Sequence, residues 1–261
     1  MDALNIQASR PRQISPEEWA VRVDLAACYR LIMHFGWDDL ILTHNSARVP
    51  GKTDQFLINP HGLMFDEITA SNLIKIDVEG NQIEPSEYEP NYAGFVIHSA
   101  IYLGRPDVEC VIHTHTEDVI AVSAQEEGLL PASQWALWFT GKLGYHDYEG
   151  VSLDLDERSR LQASMGDKQV LVLRNHGLLA TGRNVAEAFH RTYLFERAAA
   201  AQVKMQAAAA SGAKLLLPSA AAKASQTALG ADSSNAPRLG GQREWPALLR
   251  LCDKLDPGFR T

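Results

Sequence analysis

The 261-residue chain has only three cysteines, Cys28, Cys110 and Cys252, odd in number and far apart. None shares a C-x-x-C spacing, which excludes a zinc ribbon, a dithiol redox pair and a disulfide framework, and points to a reducing, cytoplasmic setting. Long apolar runs are missing as well: no stretch reaches the ~18 consecutive apolar residues of a membrane helix. Basic charge is scarce. With 24 Lys and Arg against 32 Asp and Glu, the formal net charge is −8. No global field draws the chain to phosphate backbones or anionic lipid, so neither nucleic acid nor membrane is an expected partner. Residues 1–13 contain no apolar core flanked by basic residues and no small-residue cleavage site, so no secretory or transit segment is expected.

What is present reads as one folded domain with appendages. Ser15-Pro16-Glu17-Glu18 combines a hydroxyl cap, a proline at the first helical position and a glutamate three residues after the cap, which predicts a helix over 16–35. Leu40-Ile41-Leu42-Thr43 and Gln55-Phe56-Leu57-Ile58-Asn59 read as two strands of a hairpin around Pro50-Gly51, and residues 73–78 as a third strand. Apolar helical spacing over 92–103 leads through Gly104-Arg105-Pro106-Asp107 into a strand over 108–116, and a short helix is expected over 119–124. A β-branched strand over 169–174 precedes Asn184-x-x-Glu187, the capping box of an alanine-rich helix that runs to Ala210. Helix and strand alternate, so a layered α/β architecture is expected. The organisation is an N-terminal extension (1–15), a folded domain (16–211), a flexible linker poor in large apolar residues (212–241) and a C-terminal segment (242–261) whose helical spacing suits docking.

The chemistry concentrates in histidines. In Val111-Ile112-His113-Thr114-His115, strand periodicity puts both imidazoles on one face. His176 sits at the end of another expected strand, in Asn175-His176-Gly177. Three imidazoles with a fourth position open are the donor set of a catalytic zinc site, although imidazole also accepts manganese, cobalt or iron. A strand histidine can equally be a hydrogen-bonded core residue. His44 and His61 read either as anion contacts or as structural residues, and His98 either as a core histidine bonded to backbone or as a partner of a metal ligand.

His113-Thr114-His115 and Asn175-His176-Gly177-Leu178-Leu179-Ala180-Thr181-Gly182 resemble, in order and separation, the two metal motifs of the class II aldolase/adducin family. The resemblance spans roughly residues 16–211. It is closest to the adducin-like branch, through Leu57-Ile58-Asn59-Pro60, Ala93-Gly94-Phe95, Tyr145-His146-Asp147-Tyr148 and Arg243-Glu244-Trp245-Pro246.

That resemblance implies an α/β/α layered domain with a mixed, mainly antiparallel sheet. It implies zinc, one per chain, on His113, His115 and His176, and a homo-oligomer, commonly a tetramer, acting on a small-molecule substrate. Family aldolases stabilise an enediolate from a sugar phosphate and use a glutamate as proton shuttle, at the position matched here by Gly94. Their phosphate loops carry small residues where this chain has His44-Asn45, His61-Gly62 and Tyr92-Ala93. Asn45, His61 and Gly62 are the substrate-binding candidates, and Glu117 and Tyr148 are the groups able to move protons in place of the absent glutamate. The expected function is a zinc-dependent lyase, by aldol cleavage or decarboxylation, on a small carbonyl or carboxylate compound. The alternatives are a non-catalytic adducin-like binding module and a protein braced by structural zinc.

Overall fold

The computed structural model describes residues 13–231 and 240–261. Most of the expected 1–15 extension lies outside these described residues. The first helix, α1 (Pro16–His34), begins where its cap predicts, with the Ser15 hydroxyl accepting from the Glu18 amide at 3.1 Å. Three short strands follow, β1 (Asn45–Arg48), β2 (Gln55–Ile58) and β3 (Ile74–Asp77), and then α2 (Tyr92–Gly104) and β4 (Cys110–Thr114). The middle of the chain forms α3 (Glu117–Ser123), α4 (Gln134–Leu137), β5 (Leu143–His146) and α5 (Glu157–Met165). Beyond it lie β6 (Val170–Leu173), β7 (Gly177–Gly182), α6 (Val185–Ala210), α7 (Ala220–Ala231) and α8 (Trp245–Leu255).

The seven strands make one sheet in the order β3-β2-β1-β4-β7-β6-β5. Every neighbouring pair is antiparallel except β5 with β6. Side-chain alternation sorts the strands onto two faces. Phe56, Ile58, Val111, Leu171 and Leu179 pack with Val96, Ile97 and Ile101 of α2 and Leu161 and Met165 of α5. On the opposite face, Leu57, Cys110 and Ile112 meet α1 and the start of α6, while Val170, Val172 and Leu178 meet α3 and the middle of α6. The result is an α/β/α sandwich with both sheet faces covered.

The hairpin differs from expectation. Its first strand is β1, paired Ser46 to Ile58, and not the apolar run at 40–43. Leu40 adopts a φ of 51° and exposes its side chain, as does Leu42, so the run is a loop despite its hydrophobicity. The strand expected over 108–116 ends at Thr114, which leaves His115 just beyond it. Tyr145 and His146 belong to the strand β5. Within the stretch expected as a linker, Ala220–Ala231 is helical, in keeping with the high helix propensity of alanine. Residues 232–239 of that stretch lie outside the described residues.

The C-terminal segment packs on α1 of its own chain. Trp245 is buried and donates its indole N–H to Asp24 at 2.9 Å, and Phe259 is fully buried. Cys28, Cys110 and Cys252, all free and fully buried, lie in one core between α1, β4 and α8. Burial pushes the Cys28 thiol well above its ordinary range and that of Cys252 to about 12. No helix among the described residues is long and apolar enough to cross a membrane.

Candidate metal centre

His113 is the fourth residue of β4, His115 lies one residue past the strand end, and His176 closes the turn between β6 and β7. Asn175 takes a φ of 57° in that turn, a conformation asparagine tolerates better than most residues. The antiparallel pairing of His113 with Leu179 brings the turn beside the end of β4. Nε2 of His115 then lies 2.8 Å from Nε2 of His113 and 2.9 Å from Nε2 of His176. Among the described residues these three form the one group whose ligand atoms all lie within 4.8 Å of one another.

The other ring nitrogens decide what the cluster can do. Nδ1 of His113 is 2.8 Å from the Leu178 carbonyl, which can only accept, so Nδ1 carries the proton. Nδ1 of His115 is 3.0 Å from the Asp39 carboxylate, with the same consequence. Both Nε2 atoms therefore present lone pairs to each other across 2.8 Å, an arrangement that repels until a cation lies among them. Tetrahedral zinc, with Zn–N of about 2.0–2.1 Å, needs nitrogens about 3.3 Å apart, so a small opening of the triangle admits it. The donor chemistry fits a divalent ion. Burial and the neighbouring imidazoles hold His113 well below its usual range, and burial first, then His115 and His146, lower His176 to about 4. His113 and His176 are thus held neutral, the form in which an imidazole can bind a metal.

A third layer holds the strand end in place. Glu196 of α6 is buried and accepts hydrogen bonds from the hydroxyls of Thr114, at 2.8 Å, and Thr116, at 2.6 Å, on either side of His115. Burial raises the Glu196 carboxyl to about 7 against the pull of those two hydroxyls.

The remaining sequence candidates are spread out. Asn45 is fully buried at the start of β1, its Oδ1 3.3 Å from the His113 amide and its Nδ2 without a partner. Tyr148 is exposed, with its ring 6.0 Å from that of His176. Glu117 is exposed as the first residue of α3, and His61 and Gly62 are exposed in the turn after β2. Among the described residues no hydrogen bond or ring contact joins Glu117, His61 or Gly62 to the three histidines. His98 is buried as a core histidine would be, yet its partners are side chains and not backbone: His44 at 2.9 Å and the Ser46 hydroxyl. Asp39 and Glu196 carry no motif; their spacing along the chain gives no sign of where folding puts them.

Comparison with known proteins bears on the family and the fold. The family model described as the Class II Aldolase and Adducin N-terminal domain matches residues 23–203. A solved aldolase II superfamily protein from Pseudomonas syringae is 48% identical and superposes with a TM-score of 0.88, covering 95% of this chain and 98% of that one. An L-fuculose 1-phosphate aldolase from Glaciozyma antarctica is 25% identical with a TM-score of 0.78, over 98% of this chain and 99% of its own. Rat alpha-adducin is 40% identical over 255 residues, which are 94% of this chain but 34% of the adducin. A histidine triad at the strand ends of a seven-stranded α/β/α sandwich and a family match over most of the folded chain lead to one assignment: the chain belongs to the class II aldolase and adducin family.

Proposed function

We propose that the protein is a zinc-dependent carbon–carbon lyase that decarboxylates, or cleaves by aldol chemistry, a small hydroxy- or keto-acid. The observation that carries this reading is the pair of Nε2 lone pairs of His113 and His115, 2.8 Å apart with both Nδ1 protons committed elsewhere. A divalent ion bound there supplies Lewis-acid polarisation of a substrate carbonyl. His113, His115 and His176 hold the ion, and the Asn45 amide offers a donor to a substrate oxygen. A ligand set of three leaves a position for substrate, which favours chemistry over a zinc that only braces strands or an adducin-type binding role.

Gly94 determines which lyase reaction is easiest. Without the carboxylate that family aldolases carry at this position, proton abstraction loses a general base worth ~10²–10⁴-fold. Decarboxylation makes no such demand: the C–C bond breaks, carbon dioxide leaves, and the electron pair passes to the substrate carbonyl. A proton then returns to carbon, and Tyr148, beside His176, is assigned that transfer, with Glu117 as the second carrier. His61 and Gly62 are assigned to the outer end of the substrate. The exposed side chains of Tyr148, Val151, Leu153 and Leu155, close together along the chain, favour a homo-oligomer, a tetramer in keeping with the family resemblance.

Elemental analysis should find about one zinc per chain. Zinc-loaded protein should turn over oxaloacetate, lose that activity in His113→Ala, and act on fuculose 1-phosphate ~10²–10⁴-fold more slowly. Absence of metal after zinc loading, or efficient cleavage of the sugar phosphate, overturns the reading.

A further inference from the structure

His44 occupies the space that a side chain at residue 94 would need. A Cβ placed on Gly94 would lie 2.8 Å from Cγ and Cδ2 of His44, so the imidazole and any larger residue at 94 exclude one another. The His44 ring is buried and stacks on His113, with centroids 4.9 Å apart and planes 30° apart. The residue therefore stands beside the metal centre, on the spot vacated by the family's proton shuttle.

A chain of buried hydrogen bonds sets which nitrogen of His44 bears the proton. The Tyr102 hydroxyl lies 2.8 Å from Ser46 Oγ and bonds no other group among the described residues, so it donates to Ser46. Ser46 must then donate its own proton to Nδ1 of His98. His98, protonated on Nε2 alone, donates to Nδ1 of His44 across 2.9 Å. His44 is left with its proton on Nε2, and that N–H meets no acceptor among the described residues. Its neighbour Asn45 likewise has a buried Nδ2 with no partner, on a carboxamide whose oxygen accepts from the His113 amide. Two consecutive residues beside His113 thus hold unused N–H donors; that of Asn45 is buried, and a buried donor is rarely left unpaired.

We propose that the Nε2–H of His44, with Asn45 Nδ2, binds a carboxylate oxygen of the substrate and makes His44 the residue that selects acids. This rests on the lyase reading above. The exchange has chemical sense: a carboxylate at residue 94 would repel a substrate carboxylate, whereas a neutral imidazole held as a donor attracts it. The relay through Tyr102, Ser46 and His98 keeps the donor form in place.

Oxalate serves as the probe of a metal-chelating carboxylate. In zinc-loaded His44→Phe, which keeps a ring against Gly94 and His113 but no donor, calorimetric titration should show oxalate affinity falling about ten- to a hundredfold. Zinc affinity, measured by competition with a chromophoric chelator, should change less than about threefold. Unchanged oxalate affinity with zinc retained overturns the proposal, as does loss of inorganic phosphate binding alone. Failure of the wild-type chain to bind zinc instead sinks the lyase reading, and a second measurement then stands without metal. In the ¹⁵N spectrum of the metal-free chain, His44 should show a protonated Nε2 and a bare Nδ1, with Tyr102→Phe weakening that preference. The opposite tautomer in wild-type protein overturns the assignment.

Discussion

Asp39 and Glu196 both act on His115, one through its ring and one through the hydroxyls of its two neighbours. Asp39→Asn keeps the size of the group but can present an amide to Nδ1, which frees the ring to adopt the wrong tautomer. Zinc affinity should fall about 10–100-fold, read by chelator competition, with little change in melting of the metal-free chain. Glu196 makes a prediction about pH. Its carboxyl sits at about 7 in the fold against an ordinary value of 4.5. The buried acid therefore contributes stability that is complete below about 4.5 and is lost as pH rises through 7, on the order of 3 kcal/mol over the whole interval. Glu196→Gln should be insensitive to that change. Urea denaturation of both proteins at several pH values between 5 and 8.5 should show the variant gaining on wild type as pH rises. A difference that stays flat across the range removes the carboxyl from this account.

At the level of elements, close approach of β4 and β7 brings His176 to its partners. Gly177 makes that approach possible, because a Cβ there would overlap the Thr114 carbonyl oxygen and press on the His115 ring at 3.0 Å. Gly177→Ala should push the turn away from the strand end, lowering both zinc affinity and the thermal midpoint, the latter by several degrees. Full retention of both in a calorimetric scan would show that the sheet can absorb the methyl group. The same glycines explain why β7 was illegible in the sequence: a strand beginning and ending in glycine reads as a turn, and only burial between β4 and β6 makes it a strand. The capped helices α1 and α6 were legible because their signals are local, a hydroxyl or amide followed three residues later by glutamate. The helix α5 was not, since it is short, polar and held by its contact with α2. The three histidines could be read from two short motifs. Asp39 and Glu196 could not, because they reach the site across 76 and 80 residues of chain, through tertiary contacts that no spacing rule encodes.

For the molecule as a whole, the C-terminal segment closes the core that α1, β4 and α6 begin. Trp245 fills it, contacting Phe189 with centroids 5.8 Å apart and satisfying Asp24, whose carboxyl burial already raises above its ordinary range. Trp245→Ala should cost about 3–5 kcal/mol in chemical denaturation. Zinc stoichiometry should be unchanged, because the histidine centre is built from other elements. The same closure has a kinetic consequence for the three thiols beneath it. Cys28, Cys110 and Cys252 come from the N-terminal helix, a central strand and the C-terminal helix, yet share one sealed compartment. A thiol-modifying reagent in solution meets none of them until that compartment opens, and an opening that parts α8 from α1 uncovers more than one at once. Modification should accordingly advance in a concerted burst and not site by site, turning three inert side chains into a built-in clock for how often the folded molecule comes apart.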